Sequence, residues 1–367
     1  MIRVMRTPRS VDLEITCRCN ARCKYCYYLN NAGVVYEDLP TARWLDFFDE
    51  LGRAQVMRVC LAGGEPLMRE DILELIDGIV RNRMRFQLLT NGRLVTRKTA
   101  RRLRETKRCE SVQVSLDGAR PEVHETMRGK GSFEPALRAI RNLLAEGVPT
   151  TVRVTVHAYN IDGLPDVARL LLKELDLPSF STNSISALGT RAKYGDALFL
   201  SPAQRLQAMK TLAGLDKKYP GRIQAAAGPL AEWKGFLGME TARLSGKPVP
   251  GRGRLVGCGC IFLRVAVRAD GAYVPCVMLP QIVLGHIGRD SLEEVWRNSP
   301  QFNALRERVN VSLENFEECR GCEYIQSCTG NCAGTSLSLL GNANRPSPEA
   351  CLRRFKAELA AEGLSLW

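Results

Sequence analysis

Cys19-Asn20-Ala21-Arg22-Cys23-Lys24-Tyr25-Cys26 sets three cysteines at C-x3-C-x2-C, with an aromatic residue directly before the last. Thiolates at that spacing can occupy three corners of an iron–sulfur cubane and leave the fourth iron without a protein ligand. An open iron is a place for another molecule to bind. Cysteine thiolates also suit zinc, so a zinc knuckle or a structural thiol cluster is the rival reading of this stretch taken alone.

The chain around it has 367 residues and 45% apolar composition, which predicts two or three domains with a proper core. No run approaches the length of a membrane span, and Met1-Ile2-Arg3-Val4-Met5-Arg6-Thr7-Pro8-Arg9-Ser10 has no apolar run to serve as a signal peptide. A cytoplasmic chain is expected, with no membrane partner. In a reducing compartment fourteen cysteines point to metal ligation rather than disulfides. The net charge of +13 raises a nucleic-acid reading. The basic residues are spread along predicted helices, however, and the densest run, Arg97 to Arg108, reads as a solvated helix face. No nucleic-acid partner is expected. The positive potential would offset anionic clusters and attract an acidic peptide.

Residues 10 to 190 alternate β-rich runs with amphipathic helical runs, the pattern of parallel β/α units in an α/β fold. Strands are predicted at Val11–Thr16, Met57–Ala62, Arg85–Thr90, Ser111–Leu116, Thr151–His157 and Phe180–Ala187. Thr41 after Pro40 opens a helix with the stripe Trp44, Phe47, Phe48 and Leu51. Glu70 to Arg81 carries Ile72, Leu75, Ile76 and Ile79, and Ser132 opens a third with Leu137, Ile140 and Leu144. Six such units predict a partial (β/α)6 TIM-like barrel with its active site at the C-terminal strand ends. The cysteine loop follows the first strand, Gly63-Gly64-Glu65-Pro66 the second and Asn91-Gly92 the third, and Ser115-Leu116-Asp117-Gly118 ends the fourth. Paired glycines allow close backbone approach, and strand-end carboxylates accept hydrogen bonds from ammonium or hydroxyl groups.

From 200 to 250 the pattern changes to helices at Ala203–Tyr219 and Pro229–Leu244, without strands of their own, followed by a linker at Ser245–Arg254. The expected division is a barrel at 1–200, a helical bridge and linker at 201–255, and a cysteine-rich domain with a C-terminal helix at 256–367. That last region holds Cys258, Cys260, Cys276, Cys319, Cys322, Cys328, Cys332 and Cys351. Ser291 and Glu294 within it are placed as a capping box.

With its motifs in this order the chain resembles the radical S-adenosylmethionine (SAM) superfamily, and Cys260 through Cys351 resembles the SPASM extension, a radical SAM barrel joined to an auxiliary-cluster domain. The resemblance spans residues 10 to about 190 and 258 to about 355. It implies a 4Fe-4S cluster on Cys19, Cys23 and Cys26, whose free iron is chelated by the amino and carboxylate groups of SAM. Electron transfer then yields a 5'-deoxyadenosyl radical. It further implies that Gly63, Gly64, Glu65 and Pro66 meet the SAM amino group, that Ser115 and Asp117 lie near its ribose, and that the backbone at Tyr25 lies by the adenine. Two auxiliary 4Fe-4S clusters follow: one on Cys260, Cys276 and Cys332, the other on Cys319, Cys322, Cys328 and Cys351. Either Cys258 completes the first auxiliary cluster or an iron there stays open. Two zinc sites are the rival for the Cys319–Cys332 region. Cys17, Cys60 and Cys109 are left over and read as buried small apolar residues.

The same resemblance implies an oxidoreductase that abstracts hydrogen from a ribosomally made precursor peptide and modifies it oxidatively, by a crosslink or similar change. The run of motifs looks closest to the SPASM maturases of SynChlorMet-type peptide cassettes. A low-potential electron donor is implied. With eighteen residues before Cys19, leader recognition is expected from a separate leader-binding protein or from the barrel and bridge surfaces. Enzymes resembling anaerobic sulfatase maturases or redox-cofactor precursor enzymes are the alternatives. Sulfatase maturases carry Asp where this chain has Val277, which argues against aldehyde formation and leaves the catalytic base unassigned. A non-enzymatic rival, a cluster- or zinc-stapled binding or electron-transfer protein, sits poorly with three ligands where a carrier closes four irons. His157 reads as a satisfied polar residue or a proton shuttle, and His124 and His286 as structural.

Overall fold

The computed structural model describes residues 4–28, 36–186, 188, 195–256 and 259–367. Its centre is one ten-stranded sheet. The six expected strands form as β1 Ser10–Glu14, β2 Arg58–Ala62, β3 Arg85–Thr90, β4 Cys109–Ser115, β5 Thr150–Val156 and β6 Phe180–Ser184. They stand side by side in chain order, each parallel to the next, as crossovers through helices require.

The sheet extends beyond the six on both sides. Helices Pro202–Lys218 and Pro229–Ser245 are separated by β7 Ile223–Ala225, which pairs parallel with β6, so the bridge does contribute a strand. Three residues are too few for an alternating pattern to show. On the far side β8 Arg264–Val267 pairs parallel with β1, followed by antiparallel β9 Ala272–Val274 and β10 Gly285–His286. The region after the linker therefore shares the barrel's sheet. Residues Gly253–Val256 are tied to the later cysteine region, since the Gly253 amide donates to Cys328 O at 2.9 Å and the Val256 amide to Thr329 O at 2.9 Å.

Alternation divides the two faces of the sheet. Val11, Leu13, Val59, Leu61, Phe86, Leu88, Val112, Val114, Val152 and Val154 are fully buried in the main core. Helix Thr41–Arg53 covers them with Trp44, Phe47, Phe48 and Leu51, and Ile72–Arg81 with Ile72, Leu75, Ile76 and Ile79. Two expected caps differ. Thr41 Oγ1 donates to Asp71 Oδ2 at 2.6 Å and Ser132 Oγ to Gly129 O at 2.6 Å, so neither hydroxyl accepts from its own helix. In helix Phe133–Ala145 it is Leu143, not Leu144, that joins Leu137 and Ile140 in full burial. Ser291 Oγ does accept from the Glu294 amide at 3.2 Å, but Glu294 Oε2 accepts from Asn298 Nδ2, leaving the capping box half made. The arginine-rich helix Arg97–Glu105 buries Ala100 and Leu103 and turns its charges outward, where Arg97 and Arg101 meet Glu146 and Arg102 meets Asp77.

Phe86 sits at the middle of this core with no exposed surface. Phe86→Ala is expected to cost about 3–5 kcal/mol, read as a lower urea midpoint of the apoprotein; an unchanged midpoint would contradict this packing.

Candidate functional site

The loop that carries Cys19, Cys23 and Cys26 leaves the C-terminal end of β1, and every neighbouring strand end grips it. At its root Thr16 Oγ1 donates to Asp38 Oδ2 at 2.5 Å and the Cys17 amide to Asp38 Oδ1 at 2.7 Å. From the end of β2 the Gly64 amide donates to Thr16 O and the Glu65 amide to Arg18 O, both at 2.8 Å. A Cβ on Gly64 would lie 2.1 Å from Arg18 O, and Gly63 combines φ +123° with 2.5 Å to Thr16 O. The close approach that these glycines allow is thus to the cysteine loop itself. Pro66 opens the following short turn, Pro66–Met68.

Glu65 is fully buried. Its Oε1 accepts from Thr90 Oγ1 at 2.8 Å and the Leu67 amide at 3.2 Å, and its Oε2 from the Asn91 amide at 2.7 Å. Burial raises its pKa, against which these donors work. Asn91 Nδ2 in turn donates to Asn20 Oδ1 at 2.8 Å, so β3 reaches the loop as well.

At the end of β4 the Asp117 carboxylate is entirely enclosed. Its Oδ1 accepts from the Thr155 amide at 2.9 Å, and its Oδ2 from Arg128 Nε at 2.5 Å and from the Tyr25 hydroxyl. Burial alone would raise its pKa. The Arg128 charge and hydrogen bond prevail and hold it below the usual carboxylate range. Removing one member of such a buried pair leaves the other's charge uncompensated, at about 3–5 kcal/mol. Arg128 also lies 5.3 Å from the Tyr25 ring centroid, and the Lys24 amide donates to Met127 O at 2.8 Å, which fixes the loop on helix Pro121–Arg128. Sequence reading assigns Arg128, in the stretch His124-x3-Arg128-Gly129, no role of its own; the fold sets it beside Asp117. Ser115 stands opposite Arg153 in register, on the face turned away from the helices.

Cys19, Cys23 and Cys26 lie near enough that each thiolate would oppose the next. Burial pushes the Cys23 thiol up to about 11, so a cation must favour its ionised form for it to ligate. In the later region Cys319, Cys322, Cys328 and Cys351 line one small cavity together with Met239, Tyr324 and Leu352. Cys276 follows β9, and Cys332 precedes helix Ala333–Leu340. The segments that carry them pack together at Gly334, where a Cβ would lie 2.6 Å from Met278 Cβ. Cys260 opens the short helix Cys260–Leu263, and Cys258 falls outside the described residues. Among the described residues no three His, Cys, Asp or Glu side chains converge on a single ion-sized point.

Cys17, Cys60 and Cys109 are half-buried rather than buried. Cys17 Sγ stands 3.2 Å from the Tyr28 hydroxyl, and burial pushes Cys60 and Cys109 up to about 12. His124 Nδ1 accepts from the Asp117 amide at 3.1 Å, and His286 Nδ1 lies 2.9 Å from an Arg289 nitrogen. His157 Nδ1 accepts from the Tyr159 amide at 3.2 Å, while among the described residues its buried Nε2 has no hydrogen-bond partner, so there it is only half satisfied.

Burial, opposed by Asp117 and reinforced by Arg128, pushes the imidazoles of His124 and His157 down to about 4. Unfolded, each takes up a proton near pH 6.5. Between those values the unfolded chain binds more protons, so their contribution to stability is whole above about pH 6.5 and is lost as pH falls toward 4. Urea midpoints should decline over that window, and His124→Gln combined with His157→Gln should flatten the decline. An unchanged slope in the double variant would count against it.

Profiles of known families match both halves of the chain: the Radical SAM superfamily at residues 13–171 and SPASM, an iron–sulfur cluster-binding domain, at residues 258–323. The mycofactocin maturase MftC of Mycobacterium ulcerans is 29% identical over 97% of this chain and 90% of its own length. An AdoMet-dependent heme synthase of Methanosarcina barkeri is 27% identical over 97% of this chain and the whole of its own. Among solved structures, Streptococcus suis SuiB bound to its precursor peptide SuiA superposes with a TM-score of 0.71 at 14% identity, covering 95% of this chain and 77% of SuiB. The open parallel sheet, the three-cysteine loop at its C-terminal edge and both family matches agree: the chain carries a radical SAM domain and a SPASM iron–sulfur domain.

Proposed function

We propose that this chain is an oxidoreductase that modifies a ribosomally made precursor peptide. What carries the reading is the match to the maturase MftC along nearly the whole of both chains, supported by the fold it shares with a structure holding a precursor peptide. Cys19, Cys23 and Cys26 would hold the radical SAM cluster, which with SAM on its open iron supplies a 5'-deoxyadenosyl radical able to take a hydrogen atom from the substrate. Cys260, Cys276 and Cys332, with or without Cys258, would hold one auxiliary cluster. Cys319, Cys322, Cys328 and Cys351 would hold the other, and the cavity that these four share supports that grouping. Thiols that ring a cavity suit a multi-iron cluster better than one zinc ion.

The chain's own residues orient this chemistry. Glu65 accepts from three protein donors and Asp117 from four, so both fix the β2, β3 and β4 ends against the loop on which SAM would sit. Gly63, Gly64 and Pro66 shape the turn beneath, and Tyr25 and Ser115 border the SAM side. A low-potential electron donor is required, and leader recognition falls to a separate protein or to the barrel surface. No helix among the described residues is long and apolar enough to cross a membrane; with so many free thiols, we place the chain in the cytoplasm.

The whole-length match to a heme synthase makes a porphyrin the second substrate class. Anaerobic reconstitution should give about twelve irons per chain. With dithionite and SAM, a peptide encoded beside the enzyme should lose mass as 5'-deoxyadenosine forms, and Cys23→Ala should stop that cleavage while keeping most of the auxiliary iron. Turnover of iron-coproporphyrin with no peptide modified would replace the peptide reading, and loss of all iron in Cys23→Ala would favour a stapled binding protein.

A further inference from the structure

The face of the sheet turned away from the helices is largely polar, with Leu89 and Ala62 as its apolar members on β3 and β2. Asp12, Cys60, Gln87, Gln113, Arg153 and Asn183 lie on it and are all partly exposed, whereas the residues on either side of the first five are buried, as is Thr182 before Asn183. A filled (β/α) barrel packs this interior with layers of branched apolar residues. Here the interior is a polar chamber beneath the cysteine loop.

Its arginines differ in their partners. Arg58 and Arg85, at the N-terminal rim, share Glu110 at 2.8 and 4.0 Å. Arg268, just past β8, holds Asp270 at 2.5 Å. Arg153 lies mid-chamber, between Ser115 of β4 and Ser181 of β6, one layer below the Asp117 rim. Among the described residues no carboxylate comes within ion-pair distance of it, and its buried Nε has no hydrogen-bond partner. Asn183 Oδ1, on the same face of β6, is also buried without one. The titratable group acting on Arg153 is the Cys60 thiol across the chamber, which burial keeps protonated. A partly buried guanidinium with no anion is costly, and its planar fork suits a carboxylate held by two parallel hydrogen bonds.

From this placement we infer that Arg153 is a carboxylate subsite of the substrate chamber, taking an acidic side chain or the C-terminal carboxylate of the peptide. The inference rests on the proposed function in one respect: SAM's own carboxylate is taken up by the open iron, so the anion at Arg153 comes from the substrate. Arg153 then anchors the substrate from below while the reacting carbon faces the loop above.

The test uses reconstituted full-length protein with SAM bound and ligand-observed NMR. N-acetyl-L-glutamate α-methylamide carries only a side-chain carboxylate, N-acetyl-L-alanine only a C-terminal one, and their amide analogues carry neither. At least one acid should bind about tenfold more tightly than its amide, and which one does identifies the source. Arg153→Gln should erase that preference, Arg153→Lys should keep part of it, and SAM affinity should not change. Because the cation has no ion-pair partner among the described residues, Arg153→Gln without probe should melt no lower than the parent. Equal binding of acids and amides by the parent protein would overturn the subsite even if no variant folds. So would a preference that survives in Arg153→Gln, a loss of SAM affinity in that variant, or a fall in its melting temperature. Failure of the parent to form 5'-deoxyadenosine would sink the proposed function separately.

Discussion

Everything in this molecule depends on the grip of the strand-end loops on one cysteine-bearing loop. A loop with three thiols has no core of its own, and its backbone groups need partners from elsewhere. Here they come from β2 through the Gly64 and Glu65 amides, from β3 through Asn91, and from β4 and its helix through Asp117, Met127 and Arg128. Two buried carboxylates are the knots. Glu65 ties β2 to β3, and Asp117 ties β4 to β5 and to Tyr25 of the loop. Their oxygens accept from protein donors, which gives rigidity before any ligand arrives and suits a site whose reactive partner must be held in one geometry.

The parallel sheet makes that grip possible. Strands in chain order bring successive loops to one edge, and the apolar face clamped by helices fixes their heights. The other face is free to be polar, and the chamber it lines opens beneath the gripped loop. The C-terminal half adds to this sheet rather than standing apart, since β8 pairs with β1. The hairpin that leads to Cys276 therefore runs on from the strand beside the one that feeds Cys19. An oxidised substrate held between them would have cluster-bearing protein on both sides.

Much of this was legible in the residues. The stripe Trp44, Phe47, Phe48 and Leu51 and the β-rich runs announced the β/α units, and the motifs fell at strand ends because chain order and strand order coincide. What could not be read depended on partners distant in sequence. β7 is three residues long and forms only because β6 offers it an edge. Gly63 and Gly64 read as permitting close backbone approach, and only the fold shows the Thr16 and Arg18 carbonyls standing where their Cβ atoms would be. Arg128 and Arg153 are two arginines among many in the sequence. Only the fold shows that one has a buried carboxylate and that the other has none among the described residues.

The most direct test of the account is electron paramagnetic resonance of the anaerobically reconstituted, dithionite-reduced chain before and after addition of SAM. An iron with no protein ligand should take up SAM, so the account predicts a reduced 4Fe-4S signal that changes on SAM addition and is missing when Cys19, Cys23 and Cys26 are all replaced by alanine. A spectrum indifferent to SAM, or a protein that retains zinc and shows no cluster signal, would contradict it.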